Sequence, residues 1–307
     1  MTEQRYFILM SLGLGGLCCV VLLYATGLSV SFKNIPLGPP ISILTGILCG
    51  YAYRPGTNQI LNRTILIVES LALLSLASAT ASISTYPLAA MSTGWWDSEF
   101  LAADAAIGIS WPAYWAFTTG NPILYYALAF AYNTFFIMPS VIVIALISTG
   151  KIKGAYRFIS AFVLALVITD ICMLLFPARS AAANLLPAGH PLAPGSGLLH
   201  IPVIEGLRDG SIKIIELAEM HGLISLPSFH AATSLLFAWG GWPVRKLRVP
   251  ILLAEGLMLA STPIIGGHYF IDVVAGLGVA AVAIGISYAV SRRPTYHDIG
   301  LSLQNAV

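Results

Sequence analysis

The chain has 307 residues, of which 57% are hydrophobic and only 9% are charged. Soluble domains average about 25% charged residues, so this composition excludes an ordinary soluble globular protein and indicates a membrane protein. The net charge of +2 gives no indication of a nucleic-acid partner, and none is predicted.

Apolar runs recur along the chain, several of them near the roughly 20 residues that a helix needs to cross a bilayer, and they predict an all-α, polytopic membrane bundle of about eight transmembrane helices. The first run exceeds the apolar core of a signal peptide, so we interpret it as a retained helix. The predicted spans are Tyr6–Leu28, Pro36–Tyr53, Ile65–Leu88, Pro122–Ile147, Phe158–Phe176, Pro227–Pro243, Val249–Gly266 and His268–Val290.

Basic residues are distributed unequally between the two sides of this arrangement. One side carries Arg5, Arg54, Arg63, Lys151, Lys153, Arg157, Arg245, Lys246, Arg248, Arg292 and Arg293. The other side carries only Lys33, Arg179, Arg208 and Lys213. Because cytoplasmic loops are enriched in Lys and Arg, both termini are predicted to be cytoplasmic. His230 and His268 then face the periplasm, the cell exterior or an organelle lumen.

Two connecting segments on the outer side are too long for simple turns. The segment Met91–Asn121 carries four tryptophans and scattered acids, which is typical of an interfacial helix, or of an aromatic belt without chemistry. The segment Pro177–Leu226 is the longest, and loops of this length are usually functional or disordered. Its three histidines, His190, His200 and His221, are interpreted as surface loop residues.

Two histidines lie in polar contexts at the ends of predicted spans, one in Pro227-Ser228-Phe229-His230 and one in His268-Tyr269-Phe270-Ile271-Asp272. On a helix His268 and Asp272 share a face, so the carboxylate can fix the imidazole tautomer. His268 is then a candidate nucleophile for phosphorus, and His230 is a candidate acid for the leaving oxygen. Ser228 stands at a helix start, which is a natural anion site. No metal or other cofactor is predicted, because these residues supply the needed groups. A lone histidine at a helix end is, however, more often structural.

These motifs carry a family resemblance. Pro227-Ser228-Phe229-His230 looks like the second signature motif, Pro-Ser-x-His, of the type 2 phosphatidic acid phosphatase (PAP2) superfamily. Ser261, His268 and Asp272 match the spacing of the third motif, Ser-Arg-x5-His-x3-Asp. In this chain Ser261-Thr262 replaces Ser-Arg, so the phosphate-binding arginine is missing.

That departure, together with His-Tyr-Phe-Ile-Asp, is similar to the inositol phosphorylceramide synthase branch, the aureobasidin-resistance proteins. The first motif, Lys-x6-Arg-Pro, is not present in full. Phe176-Pro177-Ala178-Arg179 stands about where it is expected, which makes Arg179 the best candidate for a cationic phosphate ligand. An interfacial arginine that binds lipid head groups is the alternative interpretation of Arg179.

The resemblance implies a catalytic core made of the last six spans. The corresponding division is residues 1–64 as two N-terminal transmembrane helices, 65–293 as the PAP2-like catalytic domain and 294–307 as a short cytoplasmic tail. His230, His268 and Asp272 are the candidate catalytic residues. The candidate phosphate-binding residues are Arg179, Ser228, Phe229, Ser261 and Thr262. Two further residues, Asp170 and Lys213, are possible substrate-binding residues.

The resemblance further implies a ping-pong reaction through a phosphohistidine on His268. A phospholipid is the donor, and the acceptor is a lipid hydroxyl in a synthase or water in a phosphatase. We therefore expect a phosphotransferase that moves a head group such as phosphoinositol to a lipid such as ceramide. The alternatives are a lipid phosphate phosphatase and, in a different class, a transporter or an inactive family member. The sequence gives no indication of an oligomeric state.

Overall fold

The computed structural model describes residues 2–53, 56–186 and 198–291. This part of the chain is almost entirely helical, which confirms the predicted all-α polytopic bundle. The helices are α1 (Thr2–Thr26), α2 (Gly38–Ala52), α3 (Gln59–Met91), α4 (Asp97–Ile107), α5 (Trp111–Thr119), α6 (Pro122–Asn133), α7 (Met138–Ser148), α8 (Ile152–Leu175), α9 (Ala181–Leu185), α10 (His200–Asp209), α11 (Phe229–Gly241), α12 (Arg248–Ile265) and α13 (Phe270–Ser291).

Short elements complete the described chain. The strands β1 (Ser29–Ser31) and β2 (Ile214–Glu216) pair in parallel, with Val30 opposite Ile215. Three single turns of 3-10 helix are Thr134–Phe136, Leu217–Glu219 and Arg245–Leu247. Several positions used in the sequence interpretation lie outside the described residues: the predicted tail 294–307, His190, Arg54, Arg292 and Arg293.

In the described chain, five helices are long and apolar enough to cross a membrane, and a bent pair, α6 and α7, makes a sixth candidate. Two predicted spans form shorter helices, α2 with 15 residues and α11 with 13. At 1.5 Å per residue these helices are about 22 Å and 20 Å long. A bilayer core is about 30 Å thick, so neither helix spans it alone. The protein is an integral membrane protein with fewer full-length spans than the apolar runs suggest.

The predicted span Pro122–Ile147 is broken in the middle. It forms α6 and α7, which are bent by 56° relative to each other, with the 3-10 turn Thr134–Phe136 between them. Pro139 lies in the first turn of α7, where its missing N–H cannot continue the hydrogen-bond ladder of α6. The break allows Tyr132 and Phe135 to pack against the start of α11.

The core of the bundle is organised around α8, which packs against α3, α11 and α13. Phe158 and Phe162 on α8 meet Phe237 on α11, with ring centroids 6.1 and 6.5 Å apart. All three side chains are buried. Interlocked rings of this size fix the position of α11 relative to α8, and thereby the position of the first turn of α11.

A buried polar network ties the N-terminal helix to the bundle. The Glu69 carboxylate on α3 accepts a hydrogen bond from Arg5 Nε of α1 at 2.6 Å and one from the Tyr156 hydroxyl of α8 at 2.6 Å. Glu69 is only 2% exposed. Burying an ionisable group inside a membrane protein is unfavourable unless the group is paired, and these two hydrogen bonds offset the cost of burying Glu69.

The shorter helices α4, α5, α9 and α10 all belong to connections at one end of the bundle. At this end α3, α8 and α12 finish, while α11 and α13 begin. Helix α4 contacts α13 and α9, and α10 contacts α3. The predicted interfacial segment therefore folds as α4 and α5 over the residues that join α12 to α13.

Candidate active site

Asp272 lies in the first turn of α13, and His268 lies just before that helix begins. Nδ1 of His268 donates to Oδ2 of Asp272 at 3.2 Å. The same oxygen accepts the Ser225 hydroxyl at 2.9 Å and the Tyr269 backbone N–H at 3.0 Å. The shared-helix-face interpretation was therefore wrong in detail, because the carboxylate reaches back beyond the helix start. The predicted pairing nevertheless forms, and in the described part of the chain Nε2 of His268 has no hydrogen-bond partner, which leaves it available to react.

His230 occupies the first turn of α11, whose N-cap is Ser228. The Ser228 hydroxyl accepts the Ala231 backbone N–H at 3.3 Å. The His230 ring stacks on Tyr132 at a centroid distance of 3.8 Å and lies 4.4 Å from Phe135. Nε2 of His230 is buried and has no hydrogen-bond partner among the described residues. The ring is thus fixed by aromatic packing, while one nitrogen remains available.

The starts of α11 and α13 are joined directly. The Ser228 backbone N–H donates to the Asp272 carbonyl oxygen at 3.0 Å. This approach requires Gly276, because a Cβ there would lie 2.3 Å from the Ser228 carbonyl oxygen. A larger residue at position 276 would push the two helices apart and with them the two histidines.

Both histidines line one cavity of about 650 Å³. Its wall combines apolar residues with polar ones from α3, α8 and the outer segment. The polar lining residues are Ser78, Ser82, Thr85, Tyr132, Asn133, Thr169, Asp170, Ser180, His200, His221, Ser225, His230 and His268. Neither lysine nor arginine appears among the described residues that line it.

The structure brings only some of the other candidate residues to this cavity. Phe229 and Asp170 line it. Ser228 is buried as the cap of α11. The hydroxyls of Ser261 and Thr262 are also buried, and they donate to the Met258 carbonyl oxygen at 2.6 and 2.9 Å. In this arrangement they bond to the backbone of their own helix.

The two candidate cations lie elsewhere. The Arg179 guanidinium is 3.4 Å from Glu205 Oε1 and stacks over Trp95 at 5.1 Å, with the side chain 45% exposed. Its backbone N–H donates to the Asp97 carboxylate at 3.0 Å. Lys213 is exposed beside β2. Neither side chain lines the cavity.

His200 corrects one prediction. It is not a surface loop residue, because it begins α10 and is only 5% exposed, with its side chain lining the cavity. Nε2 of His200 donates to the Ala178 carbonyl oxygen at 3.3 Å. Burial lowers its pKa to about 4, so the imidazole is neutral near pH 7. The helical spacing of His200, Ile204 and Leu207 indicates a helix with one buried face, whereas the cavity that this face covers is set by the fold.

Two acids of α4 hold the segment that carries His268. Asp104 accepts the backbone N–H groups of Phe270 and Ile271 at 2.9 and 2.8 Å, so it caps α13 from another helix. Burial raises the Asp104 pKa, and these two hydrogen bonds oppose that shift. Asp97 accepts the Tyr269 hydroxyl at 2.7 Å. The sequence interpretation missed this role because nothing local links α4 to α13.

Trp111 of α5 completes this support. Its Nε1 donates to the carbonyl oxygens of Pro263 and His268, both at 3.1 Å. Trp111 is 2% exposed. A buried tryptophan that bonds both ends of the link between α12 and α13 restricts the conformation of that link. The tryptophans of this segment therefore do more than mark a membrane interface.

The fold is that of a helical integral membrane protein, and it places two histidines on one cavity, one of them bonded to a buried carboxylate. The chain belongs to the PAP2 superfamily, whose family model matches residues 98–286, more than half of the chain. This membership supports a phosphatase- or phosphotransferase-type function on lipid phosphates. Comparison with curated proteins gave no match, and comparison with solved structures gave none either.

Proposed function

We propose that the protein moves a phospho-head group, such as phosphoinositol, from a phospholipid to a lipid hydroxyl, such as that of ceramide. The observation that carries this proposal is the cavity lined by His230 and His268, whose described lining residues include neither lysine nor arginine. A phosphomonoester carries up to two negative charges and needs cationic donors, whereas a phosphodiester carries one. A cavity without cations therefore suits the diester of a phospholipid donor better than phosphatidic acid.

The proposed first half-reaction uses the two histidines on opposite sides of phosphorus. Nε2 of His268 attacks phosphorus, and the bond from phosphorus to the diacylglycerol oxygen breaks. His230, protonated once the anionic phosphodiester lies beside it, gives its Nε2 proton to the departing oxygen. Asp272, which already accepts three hydrogen bonds at Oδ2, stabilises the positive charge that develops on His268.

The proposed second half-reaction reverses these roles. His230, now neutral, takes the proton of the acceptor hydroxyl, whose oxygen attacks phosphorus while the bond to His268 breaks. Both histidines return to their starting protonation states, so the cycle balances. Water is the competing acceptor, and the protein acts as a phosphatase if water, rather than the lipid hydroxyl, attacks the phosphohistidine. The domain division, and the phosphate-binding roles of Arg179, Ser228, Phe229, Ser261 and Thr262, remain predictions beside this scheme.

We propose in addition that the cavity opens on the outer face of the membrane and that both termini are cytoplasmic. The basic residues Arg63, Lys151 and Lys246 lie at the helix ends opposite to the histidines, in support of this orientation. In a cysteine-free background, Asp209→Cys should react with a membrane-impermeant thiol reagent in intact cells. Lys246→Cys should react only after permeabilisation, and the reverse pattern would overturn the orientation.

The reaction itself is tested with purified protein and defined lipids. We expect slow phosphate release from phosphatidic acid, and formation of a new phospholipid from phosphatidylinositol only when ceramide is present. The His268→Ala variant is the control for contaminating enzymes. Rapid release of phosphate from phosphatidic acid, with no acceptor-dependent product from any phosphodiester, would favour the phosphatase alternative.

A further inference from the structure

A second group of polar side chains lines the same cavity from within the spans. Ser78 and Ser82 lie one turn apart on α3, and Thr169 and Asp170 lie on the neighbouring helix α8. Asp170 is five residues before the end of α8 at Leu175, roughly 8 Å deeper along the helix. These four residues, the α3–α8 polar group, come from different helices than His230 and His268. Polar groups placed inside spans usually serve a substrate or an ion.

Thr169 and Ser70 carry buried helical hydroxyls without a hydrogen-bond partner among the described residues, and of these two only Thr169 lines the cavity. Most described serines and threonines in helices donate to a carbonyl three or four residues earlier, as Ser160 and Thr233 do at 2.9 Å. Thr169 is 1% exposed, yet its Oγ1 has no hydrogen-bond partner among the described residues. A buried polar atom without a protein partner is rare, so this hydroxyl on the cavity wall is a candidate contact for a substrate.

Asp170 is likewise without a partner in the described chain. No described group donates a hydrogen bond to its carboxyl oxygens, and neither lysine nor arginine lies in the described lining of the cavity. A carboxyl group offers oxygens that accept hydrogen bonds, and it gives an anion no positive charge to bind. The phosphate of a substrate is therefore directed to the histidines, while the α3–α8 polar group suits a ligand that offers hydrogen-bond donors.

The arrangement favours hydroxyl groups over an ammonium group. A quaternary ammonium needs open aromatic faces. The nearby rings are already packed, since Tyr132 stacks on His230 and Phe135 packs against His230 and Phe229. A primary ammonium concentrates its charge at one point, whereas the acceptors here are spread over two helices. Several hydroxyls around one ring or chain match that spread.

We propose that the α3–α8 polar group is the head-group subsite and that it binds an uncharged polyol attached to the transferred phosphate. Asp170 and Thr169 are then specificity-determining residues. This inference rests on the proposed function for the phosphate position. It implies that the polyol stays bound through both half-reactions, because the head group remains attached to phosphorus while diacylglycerol leaves and the acceptor enters.

The first test measures binding without turnover. Glycerophosphoinositol should raise the melting temperature of the purified protein in detergent, because a ligand that binds only the folded state stabilises it. Glycerophosphocholine should raise it much less. Asp170→Asn and Thr169→Val should lose the glycerophosphoinositol shift. Thr64→Val, at an exposed hydroxyl at the start of α3, is the matched control and should keep the shift.

The second test measures specificity. Wild-type protein should use phosphatidylinositol at least about tenfold better than phosphatidylmethanol, a phosphodiester of equal charge without a polyol, since sites built for hydroxyls reject analogues that lack them. Asp170→Asn and Thr169→Val should lose most of that preference while they retain turnover of phosphatidylmethanol.

The two tests separate the proposals. Unchanged glycerophosphoinositol binding and donor preference in both variants would overturn the subsite, even if transfer occurs. An equal shift with glycerophosphocholine in wild type would also overturn it, because it would show that the polyol is not recognised. A subsite that binds glycerophosphoinositol in a protein that transfers nothing would contradict the proposed function instead.

Discussion

Replacing His268 with alanine should reduce turnover about a thousandfold or more, on the order of 4 kcal/mol of transition-state stabilisation. The physical reason is that Nε2 of His268 is the proposed nucleophile, with Nδ1 held by Asp272 at 3.2 Å. Initial rates of head-group transfer by purified variants provide the measurement. A variant that keeps more than about a tenth of wild-type activity, a loss of only about 1.4 kcal/mol, would show that the nucleophile is wrongly assigned.

The controls separate chemistry from folding. Asp272→Asn should also nearly abolish turnover, and the double variant should be no worse than either single one, because residues that act as a unit are non-additive. Glu99→Gln, an exposed carboxylate on α4, should behave as wild type. Melting in detergent should show that all these variants remain folded. Independent, multiplying losses from His268 and Asp272 would contradict a shared role.

Replacing His230 with alanine should also abolish transfer from a phospholipid, but this loss should depend on the leaving group. The proposed task of His230 is to protonate the departing oxygen, and its buried Nε2 has no partner among the described residues that would compete for the proton. A p-nitrophenyl phosphodiester has a leaving group that departs without a proton, so the variant should recover burst release of p-nitrophenol.

His268→Ala provides the contrast in that experiment, because a good leaving group cannot replace a nucleophile. Release of p-nitrophenol at similar rates by both variants would contradict the assignment of His268 as the nucleophile and His230 as the acid. Failure of the activated ester to rescue His230→Ala, with the protein folded, would assign His230 to support of the ring stack on Tyr132 rather than to proton transfer.

The bundle could be predicted from sequence because burial in lipid imposes a strong and local constraint. An apolar run near 20 residues has few structural options, so α1, α3, α8, α12 and α13 fall on predicted spans. Their ends were less predictable. The apolar runs that form α2 and α11 resemble spans in composition, but they fold as short helices. The ends of a helix depend on its packing against neighbouring segments, which composition does not report.

The break between α6 and α7 was hidden because Pro139 lies within an apolar run and hydropathy does not register a missing N–H. The pairing of His268 with Asp272 was predictable because their spacing is local. His200 was misinterpreted because its burial depends on α10 folding back over the cavity, a contact between distant segments. For the same reason the capping of α13 by Asp104 could not be anticipated.

Arg179 illustrates how a position in sequence differs from a position in space. It stands near the expected site of a phosphate ligand, at the end of α8, but its guanidinium is paired with Glu205 and stacked on Trp95. Its backbone N–H, by contrast, takes part in the network beneath, through Asp97. Sequence spacing predicts which segment approaches the site, whereas the direction of a long side chain depends on partners that other segments supply.

The most direct measurement of the central claim is the mass of the covalent intermediate. Purified protein is mixed with phosphatidylinositol without acceptor, quenched under non-acidic conditions that preserve phosphohistidine, digested and analysed by mass spectrometry. The account predicts a phosphoinositol adduct on His268 that disappears when ceramide is added before the quench. A bare phosphate on His268, or a peptide containing His268 that never carries an adduct while product forms, would contradict it.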